Sequence, residues 1–311
     1  MNNVQLAIDT PTGLLNIPFT SENISIIKNS IRSRKLRSDR MVEQSYITSI
    51  ETSCKYSFEF SANTFDYLLE SALTSNEKLD NTYFSSVRVG DTFHKNNIHK
   101  QLDNEYSIVL LNTSVNTLSL SISYGNIVNG DVTLVSEGYV DVNTNLQAIS
   151  NNVHASPFVA NNVGVIEIEG DGSGICVSDI TLEINNNYTT SAPLGDRLKS
   201  KPCIGSFEVS GDITCYLSPS AYSLYLKSLE NGKTFQLRWW LSGEDGVTYE
   251  FYLPNVDLNI PTPSHGRIDT DIMVDIHYYG MYSPSFNNAL IINKYNGASL
   301  IDIAANKLWP K

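Results

Sequence analysis

The sequence contains few charged residues, few cysteines and no long apolar run. Only 17% of its 311 residues are charged, and its apolar runs fall well short of the ~20 residues that a membrane-spanning helix needs. The first stretch, MNNVQLAIDTPTG, lacks a basic region followed by an apolar core, so we expect no secretory signal there. Low charge with abundant Ser, Thr, Asn and Tyr predicts a mainly β fold rather than a helical bundle.

Cysteine is too scarce and too irregularly spaced to predict a cross-linked or metal-bound fold. The chain has no CxxC and no Cys/His ligand spacing. In a protein made in the cytosol we expect buried, reduced thiols; a disulfide or a zinc site is the alternative. We therefore predict no cofactor and no metal. The four cysteines are Cys54, Cys176, Cys203 and Cys215.

Catalytic motifs are missing as well. None of the five histidines forms HExxH, and there is no GxSxG, P-loop or GxGxxG that opens a helix. The segment Glu167–Gly174 (EIEGDGSG) lacks EF-hand ligand spacing and is better interpreted as a plain acidic turn. We predict that the protein is not an enzyme.

Basic residues are outnumbered by acidic ones, 21 against 33, which gives a net charge of −12. An acidic protein does not attract the nucleic-acid backbone in general, although it can surround nucleic acid without retaining it. One segment, KNSIRSRKLRSDR, departs from this balance. It is either a solvated loop or a cluster that docks onto acidic surface of a neighbouring copy; nucleic-acid binding has weak support because no aromatic residues are interleaved. The basic cluster comprises Lys28, Arg32, Arg34, Lys35, Arg37 and Arg40.

One segment occurs twice, at residues 38–73 and 195–229. The copies align 157 positions apart (196 − 39), with Asp39-Arg40 on Asp196-Arg197. This spacing is about half the chain and predicts a tandem duplication of one domain; the alternative is chance similarity between two amphipathic segments. We predict a first domain over residues 1–155 with an N-terminal arm, a second over 156–282, and a C-terminal arm or hairpin over 283–311.

Each copy is predicted to form two strands and then a helix. The pattern Ser-x-Glu-x-Ser gives each copy a strand with one polar and one apolar face. For the second helix we predict Ser218 as N-cap, Pro219 as first residue and an end at Gly232; for the first we predict Ser61 as N-cap. The expected apolar stripes are Tyr222, Tyr225, Leu226 and Leu229 in one helix and Phe65, Leu68, Leu69, Ala72 and Leu73 in the other.

Four other stretches carry local predictions. Residues 75–105 are polar and predict a long loop or an extended hairpin. The stretch Tyr106 to Ser123 predicts two strands, and Asn129-Gly130 predicts a tight turn. The pair Trp239-Trp240 predicts one inward and one outward indole, the latter either an interface anchor or half-buried within the subunit.

The order of these segments resembles the tail tube (major tail) proteins of long non-contractile-tailed bacteriophages. The resemblance covers about residues 30 to 280 and does not include the C-terminal tail. It rests on RSDRMVEQSYITSIETSCKYSFEFSANTFDYLLESAL, NTLSLSISYGNIVNGDVTL, HASPFVANN, ICVSDITLEINNN, GSFEVSGDITCYLSPSAYSLYLKSL and YEFYLPNVDLNIP, in that order.

The resemblance implies a β-sandwich tube fold with a helix packed on one side. Such subunits form rings whose inner sheets join into a continuous β-barrel around a lumen, and stacked rings make the tail through which genomic DNA is ejected. Because six tube domains make a ring in this family, a chain with two of them implies a trimer with pseudo-sixfold symmetry; a hexamer is the alternative. The implied location is the virion, after synthesis in the host cytoplasm, with other tail proteins at the tube ends and no membrane partner.

A polar face that repeats is the expected lining of the lumen. Two other functions remain open: a fibre or baseplate domain that binds a receptor or carbohydrate, and a glycosidase-like enzyme that uses Glu51 and Glu208 as acid and base. In the tube protein, we expect the basic cluster to contact an adjacent subunit or an adjacent ring. The predicted lumen residues are Ser49, Glu51, Ser53, Ser206, Glu208, Ser210, Asp257 and Asn259.

Overall fold

The structure is a computed structural model, and its described part is mainly β, as predicted. It describes residues 4–10, 13–35, 39, 41, 44–75, 78–80, 84–103, 106–142, 149–150, 155–164, 166–168, 175–191, 200–230, 232–243, 245–263 and 271–297. Two α-helices lie in this part, α1 (Asp66–Ala72) and α2 (Pro219–Ser228). The strands are β1 (Val4–Thr10), β2 (Gly13–Ile17), β3 (Ser21–Arg32), β4 (Ser45–Glu59), β5 (Lys78–Asp80), β6 (Phe84–Arg88), β7 (Asn96–Leu102), β8 (Tyr106–Ser123), β9 (Asn129–Val135), β10 (Gly138–Val142), β11 (Ile149–Ser150), β12 (Glu167–Ile168), β13 (Val177–Asn185), β14 (Thr189–Ser191), β15 (Ser200–Cys203), β16 (Glu208–Tyr216), β17 (Phe235–Ser242), β18 (Val247–Asn259), β19 (Met273–Gly280) and β20 (Ile291–Asn296).

Eight strands form one antiparallel sheet, which we call the main sheet. Its order is β3-β4-β9-β8-β13-β16-β19-β18. The pairing of Thr117–Ser123 with Asp179–Asn185 joins the two halves of the chain in the middle of this sheet. The two halves therefore share a hydrogen-bonded sheet, and the domain limits given above stay predictions.

Long strands carry the chain from the main sheet into outer sheets. The N-terminal part of β8 pairs with β7 and β10, and β1 and β2 lie beyond β7. The N-terminal part of β18 pairs with β17 and β20, with β12 beyond β17 and β6 beyond β20. The apolar core, which includes Phe58, Leu120, Ile213 and Tyr278, is continuous through both halves.

The order of strand pairing occurs twice along the chain. β4 pairs with β3 and β9, and β16 pairs in the same way with β13 and β19. A register shift recurs as well. The pairing of β7 with β8 shifts between Thr113 and Leu110, and the pairing of β17 with β18 shifts between Val256 and Leu253. The two shifts are 143 positions apart (256 − 113). β1, β3, β4, α1, β7, β8, β9 and β10 thus correspond in order to β12, β13, β16, α2, β17, β18, β19 and β20.

The helix ends follow the sequence prediction in α2 but not in α1. Ser218 caps α2, since its hydroxyl accepts a hydrogen bond from the Ala221 amide at 3.1 Å, and Pro219 is the first residue. The prediction that Ser61 caps α1 is wrong: its hydroxyl donates to Thr64, and the helix begins only at Asp66. The prediction that Gly232 ends α2 is also wrong, because the helix ends at Ser228 and Gly232 lies in the following turn at φ +75°.

Several loop and strand predictions are wrong because distant segments supply the partners. Residues 75–105 contain β5, β6 and β7 rather than one long loop. β5 and β6 form an antiparallel pair, which agrees with the alternative of an extended hairpin, but β6 also pairs with β20, and β7 pairs with β1 and β8. Tyr106 to Ser123 is one strand instead of two, with Asn112 in it at φ +50°. The first copy likewise has one strand, β4, before its helix. Trp239 and Trp240 are both buried, since Trp240 packs against Phe84 and Tyr295.

Gly130 lies in a strand, not in the predicted Asn129-Gly130 turn. The chain turns earlier, around Gly125 at φ +76°, and Gly130 in β9 pairs with Phe58 in β4. A Cβ atom at residue 130 would lie 2.3 Å from the Phe58 ring. The position therefore requires glycine because the ring occupies the space of a side chain.

We expect Gly130→Ala to lower the free energy of unfolding by about 1–3 kcal/mol, the usual cost of overpacking a core. Urea unfolding of the unassembled subunit measures this. Ser121→Ala is the matched control: Ser121 is exposed in the adjacent strand, so its change should stay within about 0.5 kcal/mol. Equal stability of the two variants would show that Phe58 does not occupy this site.

The cysteines divide into two buried and two exposed thiols. Cys54 and Cys215 are buried and Cys176 and Cys203 are exposed, all four free, so the prediction of buried thiols is wrong for the second pair. Burial raises the pKa of Cys54 to about 12 and that of Cys215 to about 11. Both buried thiols are therefore protonated at neutral pH and unreactive.

We expect a thiol reagent at pH 8 to label two of the four cysteines of the folded, unassembled subunit within minutes. Denaturant should expose the other two. Mass spectrometry of the labelled chain identifies the sites, with Cys176→Ser plus Cys203→Ser as the control that removes the fast reaction. Fast labelling of Cys54 or Cys215 in the folded chain would contradict their burial.

Candidate functional site

The register of the main sheet brings polar residues from every strand onto one face. Residues directly opposite each other in neighbouring strands lie on the same side of a sheet. One such row crosses all eight strands and contains Ser21, Ser57, Asp131, Ser119, Glu183, Ser210, Tyr279 and Asp257. A second row contains Asn23, Lys55, Thr133, Thr117, Asn185 and Glu208. We call the surface that contains these rows the polar face.

All eight residues predicted to line a lumen lie on this face or at its border. Glu208, Ser210 and Asp257 stand in the two rows, and Asn259 stands opposite His277. On β4, the residues Ser49, Glu51 and Ser53 alternate onto the same side as Lys55. Ser206 lies two residues before the start of β16. None of the eight is buried.

The opposite face of the same strands is apolar and buried. Cys54, Tyr56 and Phe58 on β4 alternate with the polar residues, and Val209 and Ile213 do so on β16. This alternation fixes the register, because a slip of one residue would bury the whole polar set. The polar face is thus held outward by the core beneath it.

One hydrogen-bonded arrangement occurs in both halves. Asn29 Nδ2 donates to Ser49 Oγ and to Glu51 Oε1, both at 3.0 Å. In the second half, Asn187 Nδ2 donates to the Ser206 carbonyl at 2.9 Å and to Ser206 Oγ at 3.3 Å. The asparagines are 158 positions apart (187 − 29) and the serines 157 (206 − 49). Sequence reasoning missed both asparagines, although their spacing, within one residue of the repeat, was a usable signal.

Carboxylates dominate the charge of the polar face. On the described strands, the basic groups on this face are Lys55 and His277, and His277 Nδ1 contacts the Asp212 carboxylate. Ser57 donates to Asp131 at 2.5 Å, and Thr214 donates to Asp275 at 3.0 Å. The carboxylates are Glu51, Glu59, Asp131, Asp179, Glu183, Glu208, Asp212, Asp257 and Asp275. Such a surface repels phosphate and offers no continuous track of cations.

The two glutamates considered as an acid–base pair are too far apart for glycoside hydrolysis. They lie on β4 and β16, four strand spacings apart in the main sheet, which is ~19 Å at ~4.8 Å per spacing. Glycosidase carboxylates are ~5–9.5 Å apart. Glu51 and Glu208 therefore form two equivalent parts of a surface rather than one catalytic site.

The basic cluster lies at the far end of β3. Lys28, Arg32, Arg34 and Lys35 are exposed, whereas Arg37 and Arg40 lie outside the described residues. β3 forms one edge of the main sheet: among the described strands it pairs with β4 alone. The cluster thus extends from a free sheet edge next to the polar face.

The described residues contain no group of three or more His, Cys, Asp or Glu side chains arranged to hold a metal ion. Neither described helix is long and apolar enough to cross a membrane.

The comparison with protein families agrees with this geometry. The description of the matching family is phage tail tube protein, and the match runs over residues 2–279. The chain belongs to the phage tail tube protein family. A search of curated proteins finds no match. As a tail tube protein the chain is a structural component of the virion, and it assembles with copies of itself and with other tail proteins. The family match begins well before residue 30, so it includes β1 and β2, which the sequence resemblance did not cover.

Proposed function

We propose that this tail tube protein forms rings that stack into a conduit for genomic DNA, and that the polar face lines the bore. The observation that carries this proposal is one uninterrupted eight-stranded sheet with hydrophilic residues in register on one side. A sheet that is apolar beneath and acidic above suits a closed layer around an aqueous channel. In this role the chain is a structural conduit without catalysis.

Ring closure accounts for the free edge of the main sheet. β3 is twelve residues long, and exposed edges of that length promote uncontrolled association unless they are covered. Ile27 and Ile31 on this strand are exposed, so the edge is also partly apolar. If β3 pairs with β18 at the other edge of the main sheet of the next subunit, neither edge is left exposed.

The width of the bore favours three chains in a ring. Three copies of the eight-stranded sheet give 24 strands, which at ~4.8 Å spacing and ~40° tilt close into a layer ~48 Å across. The side chains that point inward make the open bore narrower than this backbone layer, but the bore remains wide enough for a DNA duplex. Six chains would double the diameter. We therefore propose the trimer with pseudo-sixfold symmetry, each chain contributing two units, the second of which runs from β12 to β20.

The charge of the proposed bore suits transport without retention. Binding of DNA by proteins depends on cations that displace counterions from phosphates. Few such cations lie on the polar face, so each phosphate meets repulsion of similar strength along the tube. DNA then passes without being held at any ring.

Stacking of rings is the proposed role of the basic cluster. Replacing Arg32 and Arg34 by glutamate should leave rings intact and shorten tubes, because acidic surface of the adjacent ring would face carboxylates. Tube lengths in electron micrographs at 50 and 300 mM salt measure this, since exposed charge contacts weaken with ionic strength. Tubes of unchanged length at both salt concentrations would contradict the role.

Negative-stain microscopy of the concentrated protein tests the proposed function. We expect rings with a stain-filled centre, tubes built from them, and a ring mass of about 104 kDa for three chains (3 × 34.5). Discrete particles without a hole, together with binding to a glycan array, would instead support the fibre or baseplate alternative.

A further inference from the structure

Helix α2 carries an exposed apolar surface, which we call the α2 patch. Its members are 36% to 65% exposed, and the residues of α2 that enter the core are instead Ala221 and Leu224. Of the predicted apolar stripe of this helix, Tyr225 packs against the core, whereas Tyr222, Leu226 and Leu229 are exposed, so the prediction is wrong for these three. The α2 patch consists of Leu217 (36%), Tyr222 (49%), Leu226 (49%) and Leu229 (65%).

The equivalent positions around α1 are fully buried. They lie 157 positions earlier (222 − 65), and none is more than 3% exposed. The sequence repeat therefore places the same kind of surface on both helices, but only one of them is covered within the chain. The equivalent residues are Phe60 (1%), Phe65 (1%), Leu69 (3%) and Ala72 (0%).

Part of the cover of α1 comes from the other half of the chain. The Tyr249 ring on β18 lies 5.5 Å from the Phe60 ring, and its hydroxyl donates to Asp66 Oδ1 at 2.6 Å. Lys294 on β20 donates to the second oxygen of Asp66 at 2.5 Å. Leu69 lines a small cavity together with Tyr249 and residues of β20. The outer sheet of the second half thus covers the helix of the first.

Tyr106 occupies in β8 the position that Tyr249 occupies in β18. Each tyrosine stands opposite a leucine, Leu102 and Leu241 respectively. Each tyrosine also lies four residues before the leucine at which the strand register shifts, Leu110 in β8 and Leu253 in β18. Tyr249 is buried against α1, whereas Tyr106 is 56% exposed.

We infer that the outer sheet of one copy of this chain covers the α2 patch of the next copy, with Tyr106 in the role of Tyr249. This inference rests on the proposed ring. Inside the chain, the pairing of β8 with β13 goes together with the cover of α1 by the second half. The contact between chains repeats both features. The end of β18 in one chain pairs with the free edge of β3 in the next, and Tyr106 of that next chain contacts Leu217, Tyr222 and Leu226.

The contact between chains differs from its counterpart in charge. Ser223 stands at the position of Asp66 (223 − 66 = 157), so the carboxylate that binds Lys294 and Tyr249 is missing. The strength of the contact between chains then comes mainly from burial of apolar side chains, which salt weakens little. Ring formation should therefore tolerate salt that separates stacked rings.

Cross-linking between chains tests the inference. In a background of Cys176→Ser and Cys203→Ser, the variant Tyr106→Cys with Ser223→Cys is treated with a short bismaleimide. A disulfide would be too short, because the equivalent pair inside the chain, Tyr249 and Asp66, is separated by the length of a tyrosine side chain. We expect covalent dimers and trimers on a denaturing gel under assembly conditions. Each single-cysteine variant, and Tyr106→Cys with Ser121→Cys on the polar face, should stay monomeric.

Microscopy of the same samples separates this inference from the proposed function. Rings with cross-links at residues 106 and 223 support both. Rings without these cross-links, or with equal cross-linking of the Ser121→Cys control, overturn the inference and leave the ring. Absence of rings at every concentration from the background that carries only Cys176→Ser and Cys203→Ser overturns both, and cross-linked oligomers without rings support the contact but overturn the ring.

Discussion

Lysine in place of both Glu51 and Glu208 is expected to leave rings intact and to trap DNA in the bore. Both residues are on the polar face and point away from the core, so the substitutions leave core packing unchanged and remove one surface hydrogen bond, from Asn29 to Glu51. In a ring of three chains they add six cations in two equivalent sets. Six phosphate contacts give a dependence of log affinity on log salt with a slope of roughly −5, so one ring alone would hold a duplex firmly at low salt.

Sedimentation of assembled tubes with linear duplex DNA measures this effect over 50 to 300 mM salt. The unaltered tube should hold little DNA at any salt, and a phage that carries the double lysine variant should assemble tails yet eject its genome poorly. Glu51→Gln with Glu208→Gln keeps the shape without cations and should not retain DNA. Asp91→Lys, on an exposed residue outside the main sheet, should behave like the unaltered protein. If the double lysine variant binds no more DNA than these controls, the polar face is not the bore.

Aspartate in place of Leu226 is expected to abolish ring formation while the subunit stays folded. Leu226 is 49% exposed in the subunit, so the free energy of unfolding should change by no more than about 0.5 kcal/mol. In the inferred contact between chains this position is buried, so loss of an apolar contact plus burial of a carboxylate would cost about 3 kcal/mol or more per interface. That cost corresponds to a rise of at least about 100-fold in the concentration needed for assembly.

Analytical ultracentrifugation over a concentration series measures the effect, with urea unfolding to confirm the fold. Lys227→Asp is the matched control because it places the same carboxylate on the neighbouring, exposed residue of α2. Leu226→Met keeps an apolar side chain of similar size and should assemble normally. Assembly of Leu226→Asp at the concentration of the unaltered protein would show that the α2 patch stays exposed in the ring.

Local patterns in the sequence were sufficient where the partner of a residue is close in the chain or where the pattern is strong. The alternation around Glu51 and Glu208 identified two strands of the main sheet and their exposed side, because a period of two leaves one solution for a half-buried strand. Ser218 and Pro219 predicted the start of α2 through hydrogen bonding within one turn. The repeat itself identified the equivalent positions without any structure.

Predictions failed where a distant segment decides the outcome. Trp240 is buried because β6 and β20, from opposite halves of the chain, meet beside it. Gly130 accommodates the Phe58 ring, a requirement that looks like a turn signal in the sequence. The α2 patch has the spacing of a packed stripe, yet nothing in the sequence shows whether its cover lies in the same chain or in a neighbour.

The sequence predicted which residues belong to the candidate site, but it did not predict which strands pair to bring them together. Ser-x-Glu-x-Ser marks the polar strands, but the order β4-β9-β8-β13-β16 depends on which strands pair. Asn29 and Asn187 were missed because their roles follow from the register of β3 and from the turn after β13. The joining of the halves through β8 and β13 is likewise a property of the folded chain.

A cryo-electron microscopy reconstruction of assembled tubes tests the account most directly. We predict three chains per ring and a bore lined by the main sheet, with Glu51 and Glu208 alternating around the axis at equal radius. A bore lined by helices or by the outer sheets, or one in which only one of these two glutamates faces the axis, would contradict it.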